Sequence, residues 1–388
     1  MDEQDRVVKG PAPLKGRGAI HAVAHRFERV QREAVDDGWG GEADRDDARA
    51  APRTELIFET ARSALSRNDS PDIAFDQAIN PYRGCEHGCS YCYARPTHSY
   101  LGYSPGLDFE TKIIAKHNLP ELLDKALSRP SYQPRPTNLG SATDCYQPVE
   151  RDLGLTRRVI EVMAAHRHAF SLITKSSLVE RDIDLLAPLA EQGLVAVYLT
   201  ITTLDATLAR RLEPRAASPA RRLRTLRTLA EAGIPVGVSV APQIPFLNED
   251  MEQVLTAAAE AGARSAFYTV LRLPWELRQV FGDWLQAHYP QRAERVMARI
   301  HDLRGGQAYQ SDFASRMKGT GLWSDLLSQR FRKTCGRLGL NRDRVALDLG
   351  KFVRQPGAGL LQADLFDGPV AVDAGPLAAA AVGQADRR

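Results

Sequence analysis

Three cysteines fall within eight residues of this 388-residue chain: Cys85, Cys89 and Cys92, spaced Cys-x3-Cys-x2-Cys. Thiolates are soft metal ligands, and three on one short loop can hold three irons of a cubane cluster. No fourth cysteine stands beside them. A 4Fe–4S cluster held this way keeps one iron open, as a catalytic metal site keeps a position free for its reactant. The alternative is zinc, with the tetrahedron closed by His87, His98 or Cys145. Structural zinc usually shows paired Cys-x2-Cys knuckles, and only Cys89 and Cys92 form such a pair.

The composition, 43% apolar and 26% charged, is that of a globular protein. The net charge of +3 neither demands nor excludes a nucleic-acid partner, because patches matter more than totals. No stretch approaches the roughly 20 apolar residues that span a bilayer. The start, Met1-Asp2-Glu3-Gln4-Asp5-Arg6, is charged with no apolar run behind it, so no secretory signal is expected. The expected location is the cytoplasm, where thiols stay reduced. Five cysteines, an odd and clustered set, then read as a metal or cluster site and not as a disulfide framework.

Short β-branched runs alternate with amphipathic stretches along the middle of the chain. Strands are expected at 137–145, 169–174, 195–202, 234–241 and 265–273, with helices at 155–166, 183–192, 219–232, 250–261 and 275–288. Gly193 and Gly233 follow helical patterns, where a left-handed residue is wanted. A further strand before Cys85 makes six βα units, which read as a parallel sheet with right-handed crossovers. The fold class is therefore α/β, a partial (β/α)6 barrel whose site lies at the carboxyl ends of the strands. Residues 1–70 and 351–388 read as flexible, from linker-like, acidic and Ala/Gly/Pro-rich composition. The barrel is expected over 71–288, with a helical extension over 289–350.

The text Asn80-Pro81-Tyr82-Arg83-Gly84-Cys85-Glu86-His87-Gly88-Cys89-Ser90-Tyr91-Cys92-Tyr93 resembles the radical-SAM superfamily signature. From about residue 80 to 275 the chain resembles the branch of spore photoproduct lyase and "DNA repair photolyase-like" proteins. The resemblance implies a 4Fe–4S cluster on Cys85, Cys89 and Cys92, with S-adenosylmethionine chelated to the open iron. One electron from an external low-potential reductant then cleaves the cofactor to a 5′-deoxyadenosyl radical that takes a hydrogen atom from the substrate. It also implies that Tyr91 lies against the adenine and that Lys175, ending the third strand, pairs with the cofactor carboxylate. Thr200 and Thr202 would meet its ribose and methionine parts. Arg211 opens Arg211-Leu212-Glu213-Pro214-Arg215, which looks like the family's Glu-Pro turn, and Ala241 and Leu271 sit where two strand ends pass the adenine. Asp144 or Glu150 would receive the amino group. Each has a plainer reading: a surface lysine, strand threonines, or in Glu150 a charge opening the next helix.

The lyase returns a hydrogen atom from a cysteine at the second strand end, where this chain has Ser141. Cys145 is the candidate donor in its place, with a buried apolar cysteine as the alternative. Residues 290–345 read as helices that could cap the barrel mouth, and Trp275, Glu276 and Tyr309 are candidate substrate contacts. The tail segment 362–366, Gln-Ala-Asp-Leu-Phe, resembles the bacterial sliding-clamp-binding pentapeptide, with Leu365 and Phe366 as anchors. The run Arg221-Arg222-Leu223-Arg224-Thr225-Leu226-Arg227 is a candidate phosphate contact or an exposed helix face. The functions to separate are a radical-SAM lyase acting on a DNA lesion, a radical-SAM enzyme for a small molecule or peptide, and a non-catalytic zinc-stabilised nucleic-acid or clamp-binding module.

Overall fold

A computed structural model describes residues 13–28, 52–343 and 345–355. Its strands in chain order are β1 (Glu55–Glu59), β2 (Ser66–Arg67), β3 (Gln77–Ile79), β4 (Tyr82–Arg83), β5 (Lys112–Lys116), β6 (Thr137–Leu139), β7 (Phe170–Thr174), β8 (Val195–Thr200), β9 (Val236–Ser239) and β10 (Ser265–Phe267). The main sheet runs β10-β9-β8-β7-β6-β3-β2. Its six members β3, β6, β7, β8, β9 and β10 pair in parallel, and β2 adds one antiparallel edge to β3. That is the six-strand open arrangement the alternating pattern implies.

Helices cross between these strands: Leu155–Ala165, Ile183–Glu191, Pro219–Glu231 and Met251–Glu260. Asp205 and Ser218 cap the helices Ala206–Leu212 and Pro219–Glu231 by accepting backbone N–H bonds, satisfying donors that a helix start leaves orphaned. The strands bury Phe170, Leu172, Val197, Leu199 and Val238 completely against Val159, Leu186, Leu226 and Val254 of the helices. Each such side chain contributes about 1.5–3 kcal/mol by leaving water.

The strands are shorter than their apolar runs. β6 stops at Leu139, β8 at Thr200, β9 at Ser239 and β10 at Phe267. The chain beyond β8, β9 and β10 remains buried at Ile201, Val240 and Leu271, so the hydrophobic pattern outruns the ladder there. The unpaired edge at β10 is covered: the Asn341 side chain accepts from the Ala266 N–H and donates to its carbonyl, both at 2.9 Å.

A second sheet, β1-β5-β4, was not legible from alternation. It stands directly before the cysteine loop and braces it, since β4 ends at Arg83 and the Cys85 N–H donates to Phe109 O at 2.8 Å. Parts of the segment expected to be flexible are packed. Ala19, Ile20 and Val23 are buried, and β1 pairs with β5 in register along its whole length. The C-terminal helix Leu322–Leu338 packs against Met251–Glu260, with Arg330 on Glu252 at 2.6 Å. Leu277–His288 does approach the cysteine loop, sharing an apolar cluster with Cys89 and Tyr91. The pentapeptide 362–366 lies outside the described residues.

Candidate active site

The cysteine loop joins β4 to the short helix Arg95–Leu101. Tight turns fold it: the Gly88 N–H donates to Cys85 O at 3.2 Å and the Cys92 N–H to Cys89 O at 3.3 Å. Gly88 takes φ +65°, and a Cβ there would stand 2.6 Å from Glu110 Oε2, so only glycine fits. Side chains fix the loop to its surroundings. Gln147 accepts from the Glu86 N–H at 2.9 Å and donates to Gly84 O at 3.1 Å, and Glu86 accepts from the Val149 N–H at 2.8 Å.

Cys85 and Cys89 are buried and Cys92 is partly exposed. Burial pushes the Cys89 thiol up to about 12 and Cys85 well above its ordinary value. Buried thiolates therefore need a positive partner, and a metal supplies one as it displaces the protons. Among the described residues no three His, Cys, Asp or Glu side chains form a group that could hold a single metal ion. Zinc requires all its donors on one ion, whereas a cubane takes one thiolate per iron. Of the residues that could close a zinc tetrahedron, His87 pairs with Asp144 at 3.2 Å, and His98 has its Nε2 3.1 Å from Lys112 O. Cys145 sits in the barrel core. Three thiols on one loop suit the one-thiolate-per-iron demand of a cubane, and no fourth zinc donor joins them among the described residues.

Around Tyr91 lies a buried polar network. Its hydroxyl donates to Glu213 and lies 3.2 Å from the Thr202 hydroxyl, which itself donates to Glu213 at 2.5 Å. Arg222 completes the network, ion-paired with Glu213 and donating to Thr200 O at 2.8 Å. Burial would raise the Glu213 carboxyl, but Arg222 and Lys175 hold it below the ordinary carboxylate range. Lys175 extends beside the same group, its Nζ 5.9 Å above the Tyr91 ring. Burial opposes its charge, and Cys89, Glu213 and Asp144 outweigh burial and raise it. Among the described residues the Lys175 ammonium makes no hydrogen bond or ion pair, although its neighbours favour the charged form.

Asp144 stands at the same strand ends. Its carboxylate accepts from the Thr174 hydroxyl and the Lys175 N–H, each at 2.7 Å, and from the Tyr146 N–H at 3.0 Å. Burial would raise it, yet His87 and Lys175 hold it well below the carboxylate range. Glu150 is placed differently. It is wholly buried, accepting from the Thr156 N–H at 2.9 Å, from Arg181 at 2.7 Å and from the Tyr82 hydroxyl at 2.5 Å. It anchors the start of Leu155–Ala165 and has no oxygen left for a cofactor.

The other expected residues divide. Leu271 joins Cys89 and Tyr91 in one apolar cluster, and Thr200 and Ala241 border the network through Arg222 and through Thr202, whose hydroxyl lies 3.3 Å from Ala241 O. Arg211 points its guanidinium at the Tyr289 ring, 5.1 Å away. Cys145 is fully buried in the barrel core beside Gly140, which is the plainer of the two readings its sequence position allows. Arg222 is corrected, since the basic run places it inside. Its spacing held the signal: Arg222, Thr225, Leu226 and Leu229 form one helical stripe, and all are buried. Arg221 is engaged with Glu180 at 2.5 Å.

The Radical SAM superfamily model matches residues 79–258, from the end of β3 into the helix Met251–Glu260. The chain belongs to the radical SAM superfamily. Membership implies S-adenosylmethionine and an iron–sulfur cluster. An uncharacterised protein of Mycobacterium tuberculosis (strain ATCC 25618 / H37Rv) is 36% identical over 238 residues, covering 60% of this chain and 70% of its own length. One from Methanocaldococcus jannaschii is 30% identical over 245 residues, covering 63% and 87%. A mutant of spore photoproduct lyase superposes with a TM-score of 0.51 at 18% identity, over 74% of this chain and 80% of that one. The same lyase complexed with dinucleoside spore photoproduct gives 0.50 over the same shares. At that identity the likeness establishes the common fold. No helix among the described residues is long and apolar enough to cross a membrane.

Proposed function

We infer that the protein is a radical-SAM enzyme that holds a 4Fe–4S cluster on Cys85, Cys89 and Cys92 and acts on a damaged nucleic acid. The observation that carries the cofactor part is the pairing of that thiol loop with Lys175, an ammonium beside Cys89 that makes no hydrogen bond or ion pair among the described residues. When bound, the cluster and S-adenosylmethionine supply a 5′-deoxyadenosyl radical. Lys175 is suited to the cofactor carboxylate as a charge-assisted donor. Tyr91 offers its ring face, with its hydroxyl fixed by Glu213 and Thr202. Asp144 orients the backbone of Lys175, and Leu271 with Leu277, Phe281 and Trp284 excludes water from the cysteine loop.

The nucleic-acid part is supported by the exposed rim. Trp275 is 60% and Tyr100 66% exposed, and both stack against Arg26 at 4.5 and 4.9 Å. Tyr93 is half-exposed with Arg272 4.8 Å above its ring. Aromatic faces beside guanidinium groups stack unpaired bases. Glu276, by contrast, is engaged with Arg26 at 2.8 Å and is not free to meet a substrate. An external reductant supplies the electron, and a sliding clamp is proposed as a partner on the tail peptide alone.

Anaerobic reconstitution with iron and sulfide, then dithionite and S-adenosylmethionine, tests the reading through 5′-deoxyadenosine, with Cys89→Ala as control. Ultraviolet-damaged DNA is then added. Cleavage of the cofactor stimulated by damaged over undamaged DNA supports a lesion substrate. Cleavage indifferent to DNA shifts the reading to a small molecule or peptide, and zinc without cleavage ends it.

A further inference from the structure

Outside the Tyr91 network, a buried carboxylate, Glu110, lies in the short helix Asp108–Thr111 behind the cysteine loop. Neither Glu110 nor its partner Arg95 is exposed to any degree. Arg95 pairs with Glu110 at 2.5 Å and donates to Cys89 O at 2.8 Å, Gly88 O at 3.1 Å and Gly106 O at 2.8 Å. Two of these acceptors are carbonyls of the cysteine loop itself, one on a cluster ligand. The same carboxylate accepts from the Ala19 N–H at 2.7 Å and the Gly18 N–H at 3.0 Å. It therefore joins the loop on one side to an N-terminal segment on the other.

That segment lies directly on the loop. A Cβ on Gly18 would stand 1.7 Å from Gly88 O, so no side chain fits between them. Val23 is held by Ser104, donating at 2.7 Å and accepting at 2.8 Å, and Arg26 is fixed on Glu276. Ala19 and Val23 share the apolar cluster of Cys89 and Tyr91.

We propose that Glu110 is a positioning residue for the cluster: through Arg95 it sets the Gly88–Cys89 backbone, and through Gly18 and Ala19 it seats residues 17–26 as the loop's outer wall against solvent and oxygen. This rests on the cluster reading of the three cysteines. Loss of the wall leaves the thiols in place but opens the cluster to oxidants, whereas loss of the carboxylate also shifts the loop.

Gly18→Val and Glu110→Gln test it separately, reconstituted anaerobically beside the wild type. Iron per chain, decay of the visible cluster band in air, the electron paramagnetic resonance signal of the reduced cluster, and proteolysis of the N-terminal segment are read together. Gly18→Val is expected to bind iron like the wild type, to be cleaved in the segment, and to lose its cluster in air about tenfold faster. Glu110→Gln is expected to show an altered resonance signal as well. A segment still protected in Gly18→Val overturns the inference, as does air decay within twofold of the wild type. An unchanged signal in a folded Glu110→Gln protein overturns the positioning role. If the wild type itself takes up no iron, it is the cluster reading that fails.

Discussion

Arg222 reaches from the first turn of its helix to Glu213, and both side chains lie out of contact with solvent, 1% and 0% exposed. The pair is the floor on which Tyr91 and Thr202 rest. An ion pair so placed has given up its hydration, so each partner depends on the other. Arg222→Met is expected to lower stability by about 3–5 kcal/mol, because it strands a buried carboxylate. Adding Glu213→Gln should recover part of that loss. Denaturant unfolding of the two single variants and the double variant of the iron-free chain checks this. Additive losses would show that the residues are not coupled.

Lys175→Met removes the ammonium while preserving length. A charge-assisted hydrogen bond contributes about 1.5–3 kcal/mol, which corresponds to roughly 10–100-fold in affinity. Binding of S-adenosylmethionine to the reconstituted protein should weaken by that factor with iron content unchanged. Equal affinity would remove Lys175 from the cofactor site.

The imidazoles His98 and His168 predict an acid-sensitive fold. Burial lowers each to about 4 from 6.5, despite hydrogen bonds to backbone carbonyls. The folded state therefore holds both neutral, while the unfolded chain takes up protons below about 6.5. Stability is complete above that value, falls as pH drops, and has lost the whole contribution below about pH 4. The loss reaches about 3 kcal/mol for each group. Unfolding free energies at pH 7, 6 and 5 should decline in that order, and His168→Gln should flatten the slope.

Six parallel strands were legible because each is a short apolar or β-branched run followed by an amphipathic stretch. Runs such as Val195–Thr200 then have one way to be buried. The small sheet was not, since Glu55–Glu59 and Lys112–Lys116 pair in parallel across the entire cysteine loop, and no local period records a pairing so distant. The N-terminal wall escaped for a different reason. Its hold on Glu110 uses backbone N–H groups of Gly18 and Ala19, which any residue types carry, inside a segment whose glycine and proline suggest a linker. The cysteine loop was legible in full because its chemistry is local. Cys145 and Glu150 each had two readings because both follow a strand end by a few residues, and the turn at 140–149 buries both.

Cys145→Ala separates the core role from a catalytic one. The sulfur packs against Gly140, whose added Cβ would lie 3.1 Å from it, and among side chains shielded by Leu155–Ala165. Removing it leaves a small cavity, so a loss of about 1 kcal/mol is expected from the missing contacts. Cofactor cleavage should stay within about twofold, because the sulfur is buried in the barrel core. Cys89→Ala in parallel should abolish cleavage by removing an iron ligand. The ratio of product to 5′-deoxyadenosine is the decisive readout once a substrate is found. An unchanged ratio in Cys145→Ala assigns the thiol to packing, and a fall in product with cleavage intact would restore it as the hydrogen donor.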